Sequence, residues 1–160
     1  MRKLKSLSVC LVFLFILNPL NSRAQKIRTE VVWRNTHAQE ILEANFYYDE
    51  NNQLEKVEME LTSFHIGYGQ PKEYYTIYRG SLKEFYAFIN EVEKFANENT
   101  AKTTVFIQNC EVSLLYYEKK TVTLSNDEGK GITRAFTPKK LNRYKTKLVE
   151  WADSKGLAYD

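Results

Sequence analysis

The sequence predicts an α+β fold in which an antiparallel sheet of about seven or eight strands is covered by two amphipathic helices. Three observations carry this expectation. Two segments space their apolar residues three and four apart and begin at helix-capping side chains. Eight short segments alternate apolar with polar residues or are rich in β-branched and aromatic ones. The turns between consecutive short segments are mostly too brief for the crossover that a parallel pair requires.

In chain order, "KIRTEVVWR" (26–34) alternates Ile27, Thr29, Val31 and Trp33 with charged neighbours and reads as a strand. Residues 41–48 ("ILEANFYY") and 54–61 ("LEKVEMEL") flank "DENNQ", whose Asp49, Asn51 and Asn52 tolerate the left-handed backbone of a tight connection, so a hairpin is expected. Val57, Met59 and Leu61 should face the core, and Lys56, Glu58 and Glu60 water. The loop "SFHIGYGQPKEYY" (63–75) leads into a strand over 74–79. A helix follows over 81–99, because Ser81 and Glu84 form a capping box and Leu82, Phe85, Ile89, Val92 and Ala96 make one stripe. Strands are then expected over 103–108, 112–117, 121–125 and 132–136. The second helix has Thr137 as N-cap, Pro138 at its first position, a stripe of Leu141, Tyr144, Leu148 and Ala152, and a stop at Gly156 with Leu157 beyond it. Strands followed by a helix thus occur twice, which raises the expectation of two similar halves meeting near Thr100.

The N-terminus has the pattern of a cleaved secretory signal peptide over residues 1–24. Arg2, Lys3 and Lys5 precede an apolar run from Leu7 to Leu17, Pro19 breaks that run, and Ser22 and Ala24 supply the small residues before a cut at Gln25. The run is about half of the roughly 20 residues a spanning helix needs, so no stable membrane insertion is expected after cleavage. Cys10 lies inside the apolar run behind Val9, not after it, which argues against lipidation. A single α+β domain over 25–160, periplasmic or secreted, is the expected mature product.

The leader holds Arg2, Lys3, Lys5 and Arg23 and no acid, so the basic balance of the full chain (23 Lys and Arg against 20 Asp and Glu) vanishes on cleavage. A nucleic-acid partner is not expected. Cys110 is the one cysteine left, so no internal disulfide can form and stability must come from a packed core.

Signals for catalysis are weak. Cys110, His37 and His65 are the ingredients of a thiol mechanism, yet Cys110 lies near a strand end with no helix N-terminus to lower its pKa, and these three residues lack the paired spacing of a zinc site. Glu58 with Glu60 and Glu91 with Glu93 are carboxylate pairs of the kind glycan chemistry uses, but they fall on expected solvated positions. Neither a catalytic set, a metal nor a cofactor is expected.

Three tyrosine doublets are more informative. Tyr47-Tyr48, Tyr74-Tyr75 and Tyr116-Tyr117 lie on strands, where neighbours point to opposite faces, so one ring of each pair turns away from the core. With Tyr48 and Tyr75 inward, Tyr47, Tyr74 and Tyr78 face out; Tyr117 is the third outward ring. Tyrosine gives rigid contact area with a polar tip and is enriched in binding hot spots. The 63–73 loop, with His65 and Tyr68, is expected at the rim. Arg134, Lys140 and Arg143 form a basic cluster around the start of the second helix, where cations oppose the helix dipole and so point to an anionic partner surface. Together these features lead to the expectation of a protein-binding domain, an inhibitor or immunity protein that blocks an envelope-acting enzyme by occlusion. The competing expectation is a small envelope enzyme or ligand carrier acting on peptides or glycans, which needs a large interior pocket.

Overall fold

Helix capping chemistry is where the sequence places it. In a computed structural model, which describes residues 26–34, 40–65, 73–116, 119–126, 133 and 135–160, helix α1 spans Leu82–Glu98 and helix α2 spans Pro138–Lys155. The Ser81 hydroxyl accepts from the Glu84 backbone N–H while the Glu84 carboxylate accepts from that of Ser81, closing the capping box. At the other helix the Thr137 hydroxyl accepts from Lys140 N–H, and Gly156 takes the left-handed conformation (φ 65°) that ends the helix. Gly156 N–H donates to Asp153 O and Leu157 N–H to Ala152 O, the bond pair of a Schellman stop.

Seven strands are described: β1 (Lys26–Arg34), β2 (Glu40–Tyr48), β3 (Leu54–His65), β4 (Glu73–Ser81), β5 (Thr103–Ile107), β6 (Cys110–Tyr116) and β7 (Lys120–Asn126). All pair antiparallel, as the short turns require. They do not form one sheet, however. β1-β2-β3-β4 make one sheet and β5-β6-β7 another. Of the expected strand over 132–136 only 133, 135 and 136 are described; among them Phe136 forms a bridge with Val122 and Thr133 N–H donates to Leu124 O. The turn after β2 is as read: Asp49 accepts from Asn51 and Gln53 N–H through its carboxylate, and Asn52 is left-handed (φ 58°). The signal peptide region and the 66–72 loop lie outside the described residues.

One face of the four-stranded sheet carries the core. Leu42, Ala44, Phe46, Met59 and Leu61 are buried there beneath the stripes of both helices. Trp33 stacks on Tyr144 of α2 with centroids 4.0 Å apart, and Phe46 meets Trp151. The helices are tied to each other by Glu93, which accepts from Lys145 Nζ at 2.8 Å and Asn142 Nδ2 at 3.0 Å; those hydrogen bonds hold its carboxyl below the usual glutamate range.

Tyr78 departs from the alternation expected of β4. Leu61 pairs with Tyr78 but Thr62 with Thr76, so Ile77 is an extra residue, a β-bulge. The bulge turns Ile77 and Tyr78 inward together, 4% and 7% exposed, whereas strict alternation sends Tyr78 out. Its ring stacks on Phe88 at 4.5 Å and meets the edge of Phe85 at 5.2 Å, and its hydroxyl donates to Gln108 Oε1 at 2.9 Å. Burial pushes its phenol from 10.0 up to about 12.

Tyr78→Ala should therefore cost about 3 kcal/mol in urea unfolding, the order found for truncated core aromatics. Tyr78→Phe, which loses only the bond to Gln108, should cost about 1 kcal/mol. A phenol whose folded pKa is raised stabilises the fold below its unfolded pKa and loses that contribution as pH rises through the folded one, so wild-type stability should fall between pH 10 and about 12 more steeply than that of Tyr78→Phe.

Candidate functional site

The opposite face of the four-stranded sheet has no described element packed on it. Alternation along β1 to β4 sends Thr29, Asn45, Tyr47, Glu58, Glu60, Thr76 and Arg79 to this side, and cross-strand hydrogen bonds join them. Thr29 donates to Asn45 Oδ1 at 2.7 Å. Tyr47 donates to Glu58 Oε1 at 3.0 Å, with Lys56 Nζ 4.2 Å from its ring centroid. Glu60 accepts from Arg79 Nη2 at 2.6 Å and from Thr76 Oγ1 at 2.7 Å, while Lys56 pairs with Glu58 at 3.2 Å. The two acids read as solvated positions are thus the centre of a neutralised polar lattice.

That lattice fixes side chains in advance. Partial burial, and then the Glu58 carboxylate that accepts its proton, push the Tyr47 phenol up; the hydrogen bond to Glu60 likewise raises the Arg79 guanidinium. Exposed pairs of this kind contribute little to stability, typically below about 1 kcal/mol each. Their effect here is positional, because long side chains that are already ordered lose less entropy when a partner docks. Apolar area is available beside them: Tyr74, also on this side, is 63% exposed, and Ile27 and Val31 on β1 are 54% and 47% exposed.

Of the rings expected to face out, Tyr47 and Tyr74 do so and Tyr78 does not. Lys140 and Arg143 lie on α2, across the sheet from Tyr47, so the structure divides the expected site between two surfaces. On the α2 surface Lys139, Lys140, Arg143 and Lys147 border a shallow depression of about 630 Å³ whose one acid is Glu150. Lys140 Nζ lies 5.2 Å from the Phe136 ring and 5.5 Å from that of Tyr144 and so covers the edge of the core. His65 ends β3 with its side chain outside the described residues, and Tyr68, Tyr117 and Arg134 lie outside them altogether.

Two features were not found from sequence. Gln108 and Asn109 both adopt positive φ (47° and 64°) as the two-residue turn between β5 and β6, and they face β4 across a groove of about 440 Å³ that also borders Tyr78 and Arg79. The signal was an Asn within "IQNC" between two strands, which fits a type I′ hairpin. Glu40 is the other: it is fully buried at the start of β2, paired in register with Ser63 on the helix-covered face. Burial first, and then the Glu40 charge, raise the phenol of Tyr144. An acidic residue between Gln39 and Ile41 gives no sequence cue for such burial.

The interior void bordered by Trp33, Phe85, Phe136 and Tyr144 measures about 10 Å³, barely one water. Among the described residues no three His, Cys, Asp or Glu side chains converge where a metal could sit, and no helix is long and apolar enough to cross a membrane. Cys110 is 1% exposed and its thiol donates to Ser125 O at 3.1 Å. Cys110→Ala should cost about 1 kcal/mol, as small buried truncations do, and the native thiol should react with a small electrophile only as fast as the protein unfolds. Rapid labelling of the native protein would return the thiol to the list of reactive groups.

No protein-family model matches the chain, and neither a curated protein nor a solved structure similar to it was found.

Proposed function

We propose that this is an exported protein-binding domain whose contact surface is the bare face of the four-stranded sheet, and that it acts as an inhibitor or immunity protein blocking an envelope-acting enzyme by occlusion. The observation that carries the proposal is the bare face itself: both helices pack on one side, leaving Tyr47 and Tyr74 beside a preorganised lattice of Glu58, Glu60 and Arg79. Rigid aromatic anchors among ordered polar groups are the composition of protein interfaces. The leader pattern over 1–24 supports export to the periplasm or beyond.

A small envelope enzyme or ligand carrier for peptides or glycans is the weaker alternative. A large interior pocket would favour it, and the void bordered by Trp33, Phe85, Phe136 and Tyr144, at about 10 Å³, is not one. The basic surface of Lys140 and Arg143 faces away from the tyrosines, so it belongs to a second contact and not to the same footprint. Strands followed by a helix, twice over, support reading the chain as two halves of one plan, the second with a bridge at Phe136 beyond its three described strands.

The test is affinity purification of a stoichiometric partner from envelope extract, followed by calorimetry with Tyr47→Ala and Tyr74→Ala. At least one truncation should weaken binding by roughly 2 kcal/mol or more with the unfolding midpoint nearly unchanged, as hot spots do. Unchanged affinity in both variants would remove the sheet face from the interface.

A further inference from the structure

The four-stranded sheet ends at β1, which pairs with β2 on one side and with no described strand on the other. An edge of nine residues is long, and soluble proteins usually protect such edges with charged side chains, inward-pointing charges, prolines or bulges that a second strand cannot accommodate. β1 carries a bulge only at Val32, near its end, which leaves residues 26–31 as regular strand. The charges in the middle of that stretch, Arg28 and Glu30, both lie on the helix-covered side, where Glu30 binds Lys155 of α2 at 2.7 Å and Arg28 at 2.8 Å.

From this edge we infer that the protein forms a two-fold dimer in which β1 of one copy pairs antiparallel with β1 of a second copy, centred on Thr29. The sequence is self-complementary in that register. Ile27 meets Val31 of the other copy, Arg28 meets Glu30, Thr29 meets Thr29, and by symmetry each contact between unlike residues occurs twice. The outward sides of Ile27 and Val31, now half exposed, cover one another across the strands, and cross-strand β-branched pairs of this kind are favourable. On the other side, the Arg28 of each copy joins Lys155 at the Glu30 carboxylate of its neighbour.

Charge decides the occupant. Charges of one sign at positions 28 and 30 would repel a second copy, whereas Arg28 and Glu30, already compensated within the chain, each fall opposite the other's charge twice over when the strands run antiparallel about Thr29. Of the two edge strands of the other sheet, β5 has five residues and no charged pair in which to repeat this pattern, and β7 is met by the bridge from Phe136. The two-fold axis stands perpendicular to the sheet, so the dimer is an eight-stranded sheet with all four helices on one side and its other face still bare. The inference does not depend on the bare face binding a partner.

The experiment is mass measurement by sedimentation or light scattering over a wide concentration range, on purified wild type, Arg28→Glu and Glu30→Arg, with circular dichroism confirming that each variant folds. Wild type should have twice the chain mass and each variant the chain mass, because each places like charges opposite one another. An equimolar mixture of the two variants should recover the dimer. In the mixed pair the introduced acid of one chain faces the introduced arginine of the other, and the native Glu30 of the first faces the native Arg28 of the second. A monomeric wild type would overturn the inference, as would dimers that survive in both single variants or a mixture of folded variants that stays monomeric.

Discussion

Tyr78 is the side chain at which the separate parts of the molecule meet. It belongs to β4 of the first sheet, packs on Phe85 and Phe88 of α1, and reaches Gln108 in the turn between β5 and β6 of the second sheet. It can do so only because Ile77 is bulged, since regular alternation would turn the ring to the far face. Gly80 is part of the same constraint: a Cβ there would lie 2.9 Å from the Tyr78 hydroxyl, so the close passage of the ring over the backbone needs a residue without one.

That junction reinforces the sidedness of the fold. Tyr78 joins Leu42, Ala44, Met59 and Leu61 on the face that α1 and α2 cover, and Trp33, Phe46 and Tyr144 complete the layer there. The other face is left to side chains that neutralise each other: Glu58 and Glu60 between Tyr47, Lys56, Thr76 and Arg79. A sheet face of this kind is content in water, yet it is ordered and flanked by exposed Tyr74, Ile27 and Val31. Those are the properties of a surface that can be covered without first being reorganised.

Much of this was legible in residue patterns. Both helices, their stripes, the Ser81 capping box and the Gly156 stop follow from local chemistry, which a sequence displays directly. The inward set Leu42, Ala44, Phe46 and outward Tyr47 follow from period two. What could not be read depends on how strands meet. A bulge is set by the partner strand's register, so nothing in "YYTIYR" marks Ile77 as the extra residue. The division into two sheets arises because β4 and β7 approach without a backbone ladder, joined by the Asn126 amide donating to Thr76 O at 3.3 Å. The separation of Tyr47 from Lys140 and Arg143 likewise follows from which face α2 covers, a tertiary choice with no local signature.

The sidedness of the sheet can be measured without a partner by hydroxyl-radical footprinting of the native protein, with oxidation of each tyrosine followed by mass spectrometry. Exposure governs the rate, so of these three rings Tyr74 should oxidise fastest, Tyr47 more slowly, and Tyr78 only on unfolding. Oxidation of Tyr78 in the folded protein at a rate close to that of Tyr74 would contradict the bulge and the inward ring, and equal protection of Tyr47, Tyr74 and Tyr78 would contradict the bare face.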